Sequence, residues 1–148
     1  MNQALLRPIR ILLVEDSPSD ARLTLTALNL AKVANEVSHV VDGVEAIEFL
    51  HRRGQYADAS RPDLILLDLN MPRKDGREVL AEIKTDQELK VIPVVVMTTS
   101  EAEQDIRNSY QLHANCFISK PVNFERFMEV VRSIENFWLS IVLLPVSP

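Results

Sequence analysis

The chain alternates between short, largely apolar runs and longer amphipathic stretches, and the apolar runs stop at polar or charged residues. Residues 9–16, IRILLVED, begin with Ile, Leu and Val and end in Glu15-Asp16. Apolar residues at successive positions need cover on both faces, as the strands of a parallel sheet do. Ser17-Pro18 then carries a helix-start signature, Ser17 as N-cap and Pro18 in the first helical position, and Ala21, Leu23, Leu25, Ala27 and Leu28 continue it. Residues 36–41 predict a second strand closed by Asp42-Gly43. Val44, Ile47, Phe49 and Leu50 then have helical spacing up to Arg53. Residues 54–62 are polar and turn-like. Residues 64–67 form a third apolar run stopped by Asp68, and residues 76–86 predict a helix with Val79, Leu80 and Ile83 inward. Pro93 opens a fourth run, VVVM, ending in Thr98, Thr99 and Ser100. A mostly polar helix is expected over 101–112 and a fifth short strand over 116–119, ending at Lys120-Pro121. Asn123 caps a last helix through Phe127, Val130, Val131 and Ile134.

Strand and helix thus alternate five times, which predicts an α/β fold: a doubly wound, five-stranded parallel sheet with helices on both faces. The 148 residues suit one domain. The expected core covers about residues 9–134, with an apolar C-terminal extension over 135–148. Too little chain follows Ile134 for a helix-turn-helix module, so no output domain is expected.

Composition narrows the function. The net charge is −5 and the sequence pI about 5.2, with no basic run, which argues against nucleic acid as a partner. Gly43, Gly54 and Gly76 are the three glycines, too few for a glycine-rich phosphate cradle. The single cysteine, Cys116, excludes an intrachain disulfide framework and fits a reducing cytoplasm. No secretory signal and no apolar run approaching a membrane span is present, so the expected location is cytoplasmic with no membrane partner.

In open α/β sheets, ligands bind beyond the carboxyl ends of the strands. Here those ends supply Glu15 and Asp16, then Asp68, Thr98 and Lys120. Several carboxylates in one pocket must bind protons or a cation. Hard oxygen donors suit Mg²⁺, which keeps waters and takes one or two carboxylates. A carboxylate nucleophile flanked by a metal, a hydroxyl and an ammonium has the parts needed to receive a phosphoryl group.

LLVED, LLDLNMP, VVVMTTS and ISKP, in this order and each at a strand end, resemble the receiver domain of two-component response regulators. The match spans roughly residues 10–134; Asp68 and Thr98 are thirty residues apart, and Gly76 lies eight past Asp68. The resemblance implies a flavodoxin-like three-layer sandwich with strand order 2-1-3-4-5. It implies Asp68 as phosphoacceptor and slow autodephosphorylation modulated by Asn70 and Ser100. Mg²⁺, replaceable by Mn²⁺ or Ca²⁺, would be held by Glu15 (through water), Asp16, Asp68 and the Asn70 backbone carbonyl. Thr98 and Lys120 would bind phosphoryl oxygens, the Lys120–Pro121 bond would be cis, and Thr98 and Phe117 would form the switch. The long segment before the third strand and the tail with Phe137, Trp138 and Leu139 are similar to the small response regulators of cyanobacterial-type phytochrome histidine kinases. That implies a phytochrome-type kinase partner, an unidentified downstream protein and a homodimer using the fourth helix, fifth strand and fifth helix.

Each residue also has a plainer reading. Asp68 could merely end a strand, Thr98 could cap a helix, Lys120 could be a solvated loop lysine, and Phe117 and Cys116 could be core. His39, His51 and His113 lack ligand spacing. Residues 137–144 are apolar except Ser140, which favours an association surface over a flap on the same domain. Two other functions remain open. In an Asp-nucleophile phosphatase a second Asp would stand where Asn70 is found. A phosphate-independent scaffold of receiver fold would usually lose part of the acid pocket.

Overall fold

Among the described residues, apolar runs form strands and amphipathic stretches form helices, in a computed structural model that describes residues 8–30, 35–69, 71, 74–98, 116–120, 125–127 and 129. The order is β1 (Ile9–Val14), α1 (Pro18–Leu30), β2 (Asn35–Val40), α2 (Gly43–Leu50), a 3₁₀ turn (Gly54–Tyr56), β3 (Leu64–Asp68), α3 (Gly76–Thr85), β4 (Val94–Thr98) and β5 (Cys116–Ser119). Residues 125–127 and 129 are helical. The strands form one five-stranded sheet in the order β2-β1-β3-β4-β5, with every pairing parallel. The expected doubly wound topology is therefore the observed one. The helix expected over 101–112, Asn123 and the tail lie outside the described residues.

The period of two along each strand divides the core. Ile9, Ile11 and Leu13 of β1, Leu64 and Leu66 of β3, and Val95 and Met97 of β4 pack on one face with Ala21 and Leu28 of α1 and with Phe127. Leu12 and Val14, Ile65 and Leu67, and Val94 and Val96 pack on the other face with Ala46, Ile47 and Leu50 of α2 and Val79, Leu80 and Ile83 of α3. The central strand β3 is buried along its whole length, as a run without polar interruptions requires. The β2 strand lies at the edge and is half-exposed.

Capping sets the helix starts. Asp42 accepts from Glu45 N at 2.9 Å, and Asp75 accepts from Arg77 N and Glu78 N at 2.9 and 3.1 Å. Ser17 caps α1, its Oγ accepting from Asp20 N at 3.3 Å. Several expected boundaries shift. The first strand stops at Val14, because Glu15 and Asp16 turn into the pocket beyond the sheet. The second strand runs from Asn35 to Val40 rather than over 36–41. Helix α2 ends at Leu50 rather than Arg53, since Arg52 adopts φ 55° and breaks the helical path. Leu23, placed in the first helix's apolar pattern, is 53% exposed. The turn-like segment 54–62 is mostly exposed, but Tyr56 within it is half-buried. Tyr56 stacks on Phe49 at 5.3 Å between ring centroids, its hydroxyl donates to Glu45 Oε1 at 2.9 Å, and burial together with that bond pushes its pKa up to about 12.

Gly76 ties helix α3 to the carboxyl edge of the sheet. It opens α3 directly against the end of β3, its N–H donating to Leu69 O at 3.0 Å. A Cβ at this position would sit 2.2 Å from Asp68 O and 2.5 Å from Leu69 Cα, both rigid backbone atoms. Gly76→Ala should therefore cost about 1–3 kcal/mol of stability, the usual range for overpacking a tight site. A urea denaturation midpoint matching wild type would show that the backbone yields freely here.

Candidate functional site

Four chain segments deliver charge to the carboxyl edge of the sheet. β1 ends at Val14, and the next two residues are Glu15 and Asp16. The peptide of Glu15 continues the ladder, its N–H donating to Val40 O at 3.1 Å, and its carbonyl oxygen lies 2.8 Å from His39 Nε2. Asp68 is the last residue of β3, in register with Met97, and is 3% exposed. Lys120 follows β5. Asp20 comes from the first turn of α1.

One oxygen from each of Glu15, Asp16 and Asp68 lies within 4.8 Å of the others. The Lys120 ammonium faces this group, 2.6 Å from Glu15 Oε1, 3.3 Å from Asp68 Oδ2 and 3.1 Å from Asp20 Oδ2. Glu15 is fully buried, and its other oxygen accepts from Ser17 N at 3.1 Å. A buried carboxylate needs such partners, because losing hydration costs several kcal/mol per ion.

The charges shift one another's proton affinities. Burial raises the Asp16 carboxyl above its ordinary 3.8; a hydrogen bond from its own backbone opposes this, and the charge and hydrogen bond of Asp68 add to it. Burial would lower the Lys120 ammonium, but the Glu15 hydrogen bond, the Asp68 charge and the Asp20 hydrogen bond reverse that effect. The ammonium is left above lysine's ordinary 10.5.

The donor set fits a divalent cation. All the clustered ligands are hard carboxylate oxygens, and like charges this close are relieved by a cation. Glu15 Oε2 accepts from Ser17 N and Glu15 Oε1 lies 2.6 Å from the Lys120 ammonium, and of the three clustered acids only Asp16 reaches solvent. The arrangement places a buried carboxylate, Asp68, beside a cationic donor, a pairing chemically suited to accepting an anionic group.

Of the site residues expected from sequence, Glu15, Asp16, Asp68 and Lys120 are brought together. The backbone of Thr98 ends β4 opposite Ser119, one residue from Lys120. The side chains of Thr98 and Phe117, together with Asn70, Ser100, Pro121 and hence the expected cis bond, and Phe137, Trp138 and Leu139, lie outside the described residues. Asp20 was missed. Its signal was local: a carboxylate in the first turn of the helix that leaves the Glu15-Asp16 edge can point back toward that edge. His39, which lacks ligand spacing in the sequence, lies against the Glu15 carbonyl.

Two outcomes follow from these charges. Removing the cation in Lys120→Met should destabilise the metal-free protein by about 3–5 kcal/mol at neutral pH, the cost of stranding one partner of a buried pair. Because the folded ammonium has a raised pKa, wild type keeps this contribution below 10.5 and loses it as pH rises through the folded value, so the gap between variant and wild type should close there. A gap independent of pH would contradict the pairing. Divalent-cation affinity, followed by calorimetry, should weaken as pH falls through the raised Asp16 pKa, since the proton and the cation compete for the same oxygens. A flat profile down to the ordinary carboxylate range would exclude Asp16 as a ligand.

Residues 11–132 match the family model for the response regulator receiver domain. The response regulator Rcp1 of Synechocystis sp. is 50% identical over 140 residues, covering 95% of each chain. Its Mn²⁺-bound crystal structure superposes with a TM-score of 0.74 at 51% identity, covering 93% of this chain and 99% of that one. The phosphorylated cyanobacterial phytochrome response regulator RcpA is 56% identical, with a TM-score of 0.76 over 90% of this chain and 96% of that one. The bacteriophytochrome response regulator AtBRR is 44% identical, with a TM-score of 0.81 over 89% of this chain and 96% of that one. A parallel sheet in the order β2-β1-β3-β4-β5, an acidic trio and a lysine at its carboxyl edge, and a family match along most of the chain agree: this chain belongs to the response regulator receiver domains.

Proposed function

We propose that this chain is a phosphorylation switch in which Asp68 takes a phosphoryl group from a phosphohistidine of a sensor kinase. The observation that carries the proposal is the position of Asp68: nearly buried, within 3.3 Å of the Lys120 ammonium and clustered with Glu15 and Asp16. An Asp68 oxygen attacks phosphorus, a new O–P bond forms as the P–N bond breaks, and the imidazole leaves with the bond's electrons and regains a proton from solvent. Lys120 pairs with a phosphoryl oxygen, and Thr98 is assigned a hydrogen bond to another. Mg²⁺ bound at Asp16 and Asp68, with Glu15 reached through water and the Asn70 carbonyl as a further ligand, would offset charge on the phosphoryl oxygens when present. Slow hydrolysis of the acyl phosphate at the same site would reset the switch.

The modified Asp68 brings new negative charge and acceptor oxygens to the ends of β4 and β5. Thr98 and Phe117 are the positions proposed to respond and to bias the face formed by the fourth helix, β5 and the fifth helix. Taking such a switch from about 1% to about 99% active requires about 5.5 kcal/mol of differential stabilisation. Similarity to Rcp1, RcpA and AtBRR supports a phytochrome-type histidine kinase as the phosphoryl source. The same reading makes the chain a single receiver domain of the cytoplasm that passes its signal to another protein. It would form a homodimer, with the apolar stretch around Phe137, Trp138 and Leu139 as part of the contact. Among the described residues, no helix is long and apolar enough to cross a membrane. Retention of Glu15, Asp16, Asp68 and Lys120 as one charged group disfavours a phosphate-independent scaffold.

Incubation with acetyl phosphate and Mg²⁺, read by intact-protein mass, should add one phosphoryl group that mild base removes. Asp68→Asn should abolish that addition. Labelling retained in the variant would move the acceptor elsewhere, and no labelling of wild type by this donor or by a phosphorylated kinase would remove the switch altogether.

A further inference from the structure

We infer that Asp20 is a positioning residue that competes with the phosphoryl group for Lys120 and so sets how strongly the site favours its unmodified form. The inference rests on Asp68 being the phosphoacceptor.

Ser17 and Asp20 have the spacing of a capping box, in which the acid at the third helical position would accept from the N-cap N–H. Half of that motif forms: Asp20 N donates to Ser17 Oγ at 3.3 Å. The reciprocal bond goes elsewhere, because Ser17 N donates instead to Glu15 Oε2 at 3.1 Å. With the Ser17 N–H supplied by Glu15, the Asp20 carboxylate reaches across a hundred residues of sequence and accepts from Lys120 Nζ at 3.1 Å.

Lys120 has three acidic neighbours: its ammonium donates to Asp20 at 3.1 Å and forms ion pairs with Glu15 at 2.6 Å and Asp68 at 3.3 Å. These partners differ in how readily they can let go. The Glu15 side chain is 0% exposed and that of Asp68 4%, whereas that of Asp20 is 36% exposed. Only Asp20 can exchange the ammonium for water at little cost. A phosphoryl group on Asp68 adds oxygens that seek the same donors, so the wettest of the three bonds is the one to yield. The Asp20 charge also repels an incoming phosphoryl group. Competition for Lys120 and repulsion act in the same direction, both favouring the unmodified protein.

The test is equilibrium binding of beryllofluoride, a tetrahedral mimic of a carboxylate-bound phosphoryl group, to the full chain at saturating Mg²⁺, followed by calorimetry and fluorine NMR. Asp20→Asn should bind roughly threefold to tenfold more tightly than wild type, the scale set by one partly exposed ion pair near a site of low dielectric. Asp20→Ser should show the same gain, and Asp20→Glu, which restores the charge, should return the affinity to the wild-type value. A residue serving only the first turn of α1 would lower thermal stability in the neutral variants and leave this affinity unmoved. Wild-type or weaker affinity in both neutral variants, with wild type itself binding normally, would overturn the role of Asp20 alone. Failure of wild type to bind, or undiminished binding by Asp68→Asn, would overturn the phosphoacceptor reading and the role of Asp20 with it.

Discussion

A single ammonium set among carboxylates is the interaction on which the rest of this molecule depends. Lys120 lies between Glu15, Asp20 and Asp68, with Asp16 in the same acidic group. At about 4 Å and an effective dielectric near 20, a unit charge pair is worth about 4 kcal/mol. That attraction offsets the dehydration of a Glu15 side chain with no exposed surface. The balance remains negative, since four acids face one base. A site left short of positive charge has affinity for cations, and once a cation is bound it can hold an anion that the bare acids would repel.

The sheet makes this concentration of charge mechanically possible. Strands paired in parallel and in register all present their carboxyl ends on the same side, so residues far apart in sequence arrive together. The apolar side chains on both faces hold those ends still. Ile9, Ile11 and Leu13 face α1 while Leu12 and Val14 face α2 and α3, which leaves β1 no freedom to slip by one residue without burying its wrong face. Gly76 adds a further restraint by letting α3 begin against the Asp68 backbone. The rigid half of the site is Glu15 and Asp68, both buried; the adjustable half is Asp16 and Asp20, which reach solvent.

Much of this was legible in the residues themselves. Every strand and every α-helix within the described residues was foreseen, β3 and β4 from unbroken apolar runs ending in Asp68 and Thr98, β1 from a run interrupted only by Arg10, and β2 and β5 from mixed segments. Ser17 marked a helix start through local chemistry alone and the third helix was expected to open at Gly76, whereas Asp42, read only as closing the second strand, also caps α2. The strand-end residues Glu15, Asp16, Asp68 and Lys120 were identifiable because strand direction predicts where they converge. Boundaries were less legible. The end of α2 depended on Arg52 turning to a positive φ, and the cover provided by Tyr56 depended on Phe49 being near enough to stack.

The amino-acid order by itself determined the fold and the convergence of Glu15, Asp16, Asp68 and Lys120, since both follow from periodicity and from the direction in which parallel strands must run. It did not determine how the charges pair. Whether Asp20 closes a capping box or reaches Lys120, and whether Glu15 faces the metal or the helix start, are choices among partners close in energy and distant in sequence. Only the assembled sheet, which brings residue 120 within 3.1 Å of residue 20, decides between them. The reason is that an ion pair is selected by distance and burial, and neither exists for these residues until the chain has folded.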